Sequence, residues 1–162
     1  MKQNSTVKEQ SLSPQPTART QAQPQAVRNT AECDEKLDER VCMALHAAGE
    51  KKAIDPVVLD LRDIASFTDY FVIFSGANER QVQAISDEVY EQLKKGGSPA
   101  ARVEGYKTAE WILLDYGDFV VHVFEQKARK FYDLERLWRE SKRVELPAEL
   151  TGESSSSLRK ES

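Results

Sequence analysis

EGYKTAEWILLDYGDFVVHVFEQKARKFYDLERLW, Glu104–Trp138, is the stretch whose reading decides the fold. Two apolar runs, Trp111–Asp115 and Phe119–Phe124, meet at Tyr116-Gly117, a spacing that predicts a β-hairpin. Arg129–Trp138 predicts a helical cap on it. The stretch holds no obvious nucleophile, metal cage or phosphate loop. It offers a large aromatic beside a turn, the kind of feature with which one protein grips another.

Working outward, Tyr70–Ser75 is apolar on both faces, which predicts a central strand. Asn78 and Gln81 have the spacing of a capping box, and Val82, Ile85, Val89 and Leu93 mark the buried face of the helix that follows. Lys94-Lys95-Gly96-Gly97 gives that helix a cationic last turn and a stop. Val57–Leu61 and Ala101–Glu104 predict two further strands. Thr30 can cap an earlier helix, along which Cys33, Leu37, Val41, Leu45 and Ala48 share one face until Gly49. Helix, two strands, helix, three strands, helix implies a single α/β domain: a mixed β-sheet with flanking helices.

The two ends differ from this middle. Residues 1–30 are rich in Gln, Ser, Thr and Pro and predict a disordered tail. Their shortage of acids also suits an organelle transit peptide, so the location is read as cytoplasmic, with plastid or mitochondrion as the alternative. Residues 140–162 turn polar and are read as a second disordered tail. The domain is therefore bounded at 31–139. The whole chain, 162 residues, carries a net charge of −4. Residues 31–138 hold 14 basic and 21 acidic groups, a net −7. Nucleic-acid binding draws on the opposite sign, so RNA or DNA is disfavoured as principal partner and a basic protein surface is favoured. No apolar run approaches the ~18 residues of a membrane span. Cys33 and Cys42 are nine positions apart, half a turn out of phase on one helix, and so are not expected to bridge within it.

Thr68–Val89 (TDYFVIFSGANERQVQAISDEV) and Glu104–Trp138 together resemble the ribosomal silencing factors, the Iojap-like family, in residues, order and spacing. The resemblance implies a nucleotidyltransferase-like fold without catalytic equipment and without a cofactor. It implies binding to a large-subunit ribosomal protein, protein fourteen, on the face that meets the small subunit. Joining of the subunits is then blocked and translation is silenced when nutrients fail. It also implies homodimers of the free protein. Carried over by position, contacts centre on Trp111, Asp115 and Tyr116. His122, Tyr132, Leu134 and Trp138 match the family pattern as contact or packing residues.

Other readings compete at several of these positions. Trp111 could equally be a core residue. Tyr116, at a hairpin tip, is expected to be exposed. Asp115 and Asp118 are read as turn residues, not metal ligands, because no further ligand lies near. Cys42 and His46 stand four apart on a helix but lack the other ligands of a metal site. A nucleotide-dependent transferase would use Ser75-Gly76 with some of Asp60, Asp63 and Glu104, yet the paired acids that hold magnesium are missing. Lys127, Arg129, Lys130, Arg136, Arg139, Lys142 and Arg143 form a solvated basic face or a minor ribosomal RNA contact. A factor in large-subunit assembly would use the same docking surface.

Overall fold

Tyr70–Gly76 is buried at every position and is the strand around which the rest assembles. A computed structural model describes residues 37–151. In chain order the elements are α1 (Glu39–Glu50), β1 (Ile54–Asp60), β2 (Tyr70–Gly76), α2 (Glu79–Lys95), β3 (Arg102–Glu104), β4 (Trp111–Asp115), β5 (Phe119–Glu125), α3 (Gln126–Tyr132), α4 (Leu134–Leu137), β6 (Lys142–Arg143) and α5 (Ala148–Thr151). The sheet runs β3-β4-β5-β2-β1-β6. β2 and β5 pair in parallel at its centre and every other pairing is antiparallel. This is the mixed α/β domain expected from the sequence.

The two faces of the sheet are covered unequally. On one, Val72, Phe74, Ile112, Leu114, Val121 and Val123 pack against the apolar sides of α1 and α2. On the other, Leu59, Phe71, Ile73, Val120 and Phe124 lie beneath the shorter α3–α4 segment, which contributes Ala128, Leu134 and Trp138. Two short helices cannot cover six strands. Trp111 and Leu113, facing the same way on β4, are left half-buried.

Local chemistry explains the element ends. The Asn78 side chain accepts from the Gln81 amide at 2.8 Å, and Gln81 Oε1 accepts from the Ala77 amide at 2.7 Å, one residue earlier than a strict capping box. Gly117, at φ +86°, turns the hairpin. The turn is anchored by Asp115, which accepts from the Gly117 amide, and by Thr68, which donates to the Gly117 carbonyl.

Five expectations change. The first helix is capped by Asp38, whose carboxylate accepts from the Arg40 amide, and it passes Gly49 to end at Glu50. Thr30 and Cys33 lie outside the described residues, as do residues 1–36 and 152–162. Cys42 is buried on α1 and disulfide-bonded. The half-turn offset between Cys33 and Cys42 holds only on one continuous helix, and this helix begins only at Glu39.

Arg129–Trp138 is two helices, not one, because Asp133 adopts the left-handed conformation between them. Residues 140–151, read as disordered tail, are structured. Lys142 and Arg143 pair with Asp60 and Leu59, the Val144 amide donates to the Val58 carbonyl, and Val144, Leu146 and Leu150 pack against the core. Their polar neighbours hide these three apolar side chains in the sequence, while the open edge of β1 supplies the partner they need. Tyr116 is not exposed at the hairpin tip. It is 8% accessible, and its ring stacks on Phe119 at 4.9 Å with 13° between the planes.

Candidate docking surface

Alternation along β4 sends Ile112 and Leu114 into the core and leaves Trp111, Leu113 and Asp115 half-buried on the opposite face. Trp111 is the centre of a connected aromatic band there. Its indole stacks on Phe124 at 4.9 Å and meets Tyr132 of α3 at 4.8 Å. Tyr132 meets Phe131 edge-on at 5.0 Å. On the other side His122, 5.9 Å from Trp111, lies 4.4 Å from Phe71, and Phe71 leads to Trp138 and Phe67.

The sequence-derived residues separate by depth. Trp111, Asp115 and Tyr132 reach the surface, Tyr132 at 42%. His122 and Tyr116 do not: both are buried, on opposite faces of the sheet. Leu134, the first residue of α4, is buried, and Trp138, at the end of that helix, is half-buried. Asp115 is already engaged, with Arg102 across the strand pair at 3.3 Å and with the Gly117 amide at 2.9 Å.

Two polar atoms show what burial does here. The His122 ring is pushed by burial to a pKa of about 3, so it is neutral at physiological pH. Its Nδ1 accepts the Trp111 indole N–H at 3.0 Å, which places the ring's own proton on Nε2. Burial likewise pushes the Tyr116 phenol well above its ordinary pKa, and its hydroxyl has no hydrogen-bond partner among the described residues.

Sequence reasoning missed Phe131 and Phe67, 79% and 60% accessible, and Leu137 at 68%. The signal for Phe131 was present: two adjacent aromatics, Phe131-Tyr132, cannot both face inward on one short helix. A cleft of about 860 Å³ runs beside this pair, bordered by Asn78, Arg80, Glu110, Glu125 and Lys127.

The basic cluster is not uniformly a solvated face. Arg129 is largely buried and donates to Glu135, to the Asp55 carbonyl and to Ser75 Oγ. Arg143 also pairs with Glu135 and Lys142 with Asp63. Lys127, Lys130, Arg136 and Arg139 are exposed.

The residues of the transferase reading do not converge. Asp60 pairs with Tyr70 at one end of β2, whereas Ser75 and Gly76 close its other end. Asp60 is held by Arg62 at 2.8 Å, Ser75 receives Arg129, and Glu104 stands on the edge strand β3.

Comparison with known proteins places this geometry among relatives. The family described as "Ribosomal silencing factor during starvation" matches residues 34–162. A protein of Halalkalibacterium halodurans named ribosomal silencing factor RsfS is 42% identical over 104 residues, 64% of this chain and 89% of that protein. A crystal structure of a Chromobacterium violaceum protein superposes with a TM-score of 0.61 at 35% identity, covering 62% of this chain and 83% of that one. A mouse protein named "Mitochondrial assembly of ribosomal large subunit protein 1" is 33% identical over 92 residues, 55% of this chain and 40% of its own length.

Proposed function

This chain belongs to the ribosomal silencing factor family, and from that premise we propose that it binds the large ribosomal subunit and prevents the small subunit from joining. The docking partner is ribosomal protein fourteen on the intersubunit face. The anchor is the half-exposed Trp111, flanked by Tyr132, Phe131 and Asp115. The single observation that carries this reading is the uncovered side of the sheet: a connected aromatic band that the protein's own short helices leave open. Large rigid aromatics lose little entropy when ordered and dominate binding energy where they are desolvated.

Inhibition is steric. The body of the domain fills the space the small subunit needs, so strength follows occupancy and residence time. The protein acts as a binding factor and not as an enzyme. That is supported by the separation of Asp60 from Ser75 and by the pairing of both with arginines. The exposed Lys127, Lys130, Arg136 and Arg139 add a minor contact with ribosomal RNA. A second copy can cover the same aromatic band when the protein is free. The site of action is the compartment holding the ribosomes: the cytoplasm or an organelle.

The test is sedimentation of ribosomal subunits on sucrose gradients with and without the protein. Co-migration with the large subunit and loss of joined ribosomes is the expected result. Free protein at the top of the gradient with joined ribosomes unchanged would overturn it. The mouse relative's name favours a second reading, assistance to large-subunit assembly. Accumulation of immature large subunits in cells lacking the protein, with joining unaffected by its addition, would select that reading.

A further inference from the structure

One hydrogen bond joins the docking face to the interior. Trp111 lies half at the surface, and His122, which accepts its indole N–H, is 3% accessible. We propose that His122 is a positioning residue of the docking face: it touches no partner, but fixes the rotation of the Trp111 indole so that the anchor is ordered before binding. This rests on the reading of Trp111 as the anchor.

The geometry is a diagonal across two strands. Trp111 stands opposite Phe124 in the β4–β5 register, and His122 stands opposite Leu113, one same-face position along. A long aromatic reaches such a diagonal neighbour. The imidazole plane is itself held by Phe71 edge-on at 4.4 Å and by Phe124 nearly parallel at 6.2 Å. Contacts with the Phe124 and Tyr132 rings hold the indole by its faces but set no direction for its N–H. The N–H···Nδ1 bond sets that direction.

The choice of residue points the same way. A strand position buried among Phe71, Ile73, Val120 and Phe124 calls for an apolar side chain. A histidine there leaves Nε2 without a partner among the described residues. Buried polar atoms left unpaired are uncommon and are tolerated where they serve something other than stability. Only a neutral ring offers an acceptor at Nδ1, and the apolar surroundings keep it neutral. An anchor already ordered gives up less entropy on docking.

His122→Phe keeps a planar aromatic ring and removes the acceptor; His122→Asn keeps an acceptor near the Nδ1 position. Binding of each to purified large subunits is measured beside Trp111→Phe and the double variant His122→Phe/Trp111→Phe. The Trp111 indole N–H is followed by NMR hydrogen exchange, assigned through Trp111→Phe. The expected result is about tenfold weaker binding for His122→Phe, loss of indole protection, recovery of both in His122→Asn, and no further loss in the double variant over Trp111→Phe.

Equal binding by folded His122→Phe and wild type, with Trp111→Ala still defective, would overturn the inference and leave the docking reading intact. Unchanged binding by Trp111→Ala would overturn the docking reading itself. Should His122→Phe fail to fold, the wild-type indole decides: exchange as fast as that of a solvent-exposed indole overturns the proposal.

Discussion

Trp111 and Tyr116 are five residues apart on one hairpin, yet their side chains belong to different parts of the molecule. Trp111→Ala is expected to weaken binding to large subunits by ~2–4 kcal/mol, thirty- to several-hundred-fold, with the fold retained. Co-sedimentation measures the first and circular dichroism the second. Tyr116→Ala should do the reverse. It removes a core ring stacked on Phe119 and should cost ~3–5 kcal/mol of stability, read as a lowered midpoint of urea unfolding. His122 gives the pH prediction. Its folded pKa, about 3, lies below its ordinary 6.5, so the unfolded chain binds the extra proton first. Stability is therefore complete above pH 6.5 and falls on acidification toward pH 3. Within that window the wild type should lose about 1.4 kcal/mol per pH unit more than His122→Phe, checked by urea unfolding at stepped pH.

At the scale of elements, the position of β4 depends on the loop before it. Gly105 has φ +81°, and a Cβ there would collide with the carbonyl oxygen of Trp111. The loop closes with the Ala109 amide donating to the Gly105 carbonyl, and Ala109 is itself in the left-handed region and buried. Gly105→Ala is expected to cost at least about 1 kcal/mol and to shift the backbone at Trp111. Thermal unfolding and subunit binding should both worsen, whereas Gly97→Ala, where a Cβ meets nothing, should affect stability alone. The elements were legible where their signals were local. The capped α2, the apolar β2 and the glycine turn after β4 could all be read from spacing. The break at Asp133 could not, because a left-handed aspartate leaves no mark in the helical pattern of its neighbours.

For the whole molecule, the C-terminal segment closes one edge of the sheet. A chain ending at residue 139 would lose the β6 pairing, the Val144–Val58 hydrogen bond and the packing of Val144, Leu146 and Leu150. Truncation there should cost roughly 2–4 kcal/mol, visible as a lowered unfolding midpoint. An unchanged midpoint would show the segment to be dispensable. Periodicity, capping residues and turn chemistry fix the number and order of the main elements, because these depend on residues a few positions apart. The α/β class therefore followed from the sequence, and the family from the resemblance carried by Thr68–Val89 and Glu104–Trp138. The depth of each side chain depends on which strand lies beside it and on what covers that face. Only the tertiary structure could send Tyr116 inward, put His122 beneath Trp111 and draw residues 142–151 onto β1, since each depends on what lies beside a strand or covers a face of the sheet, which no local spacing records.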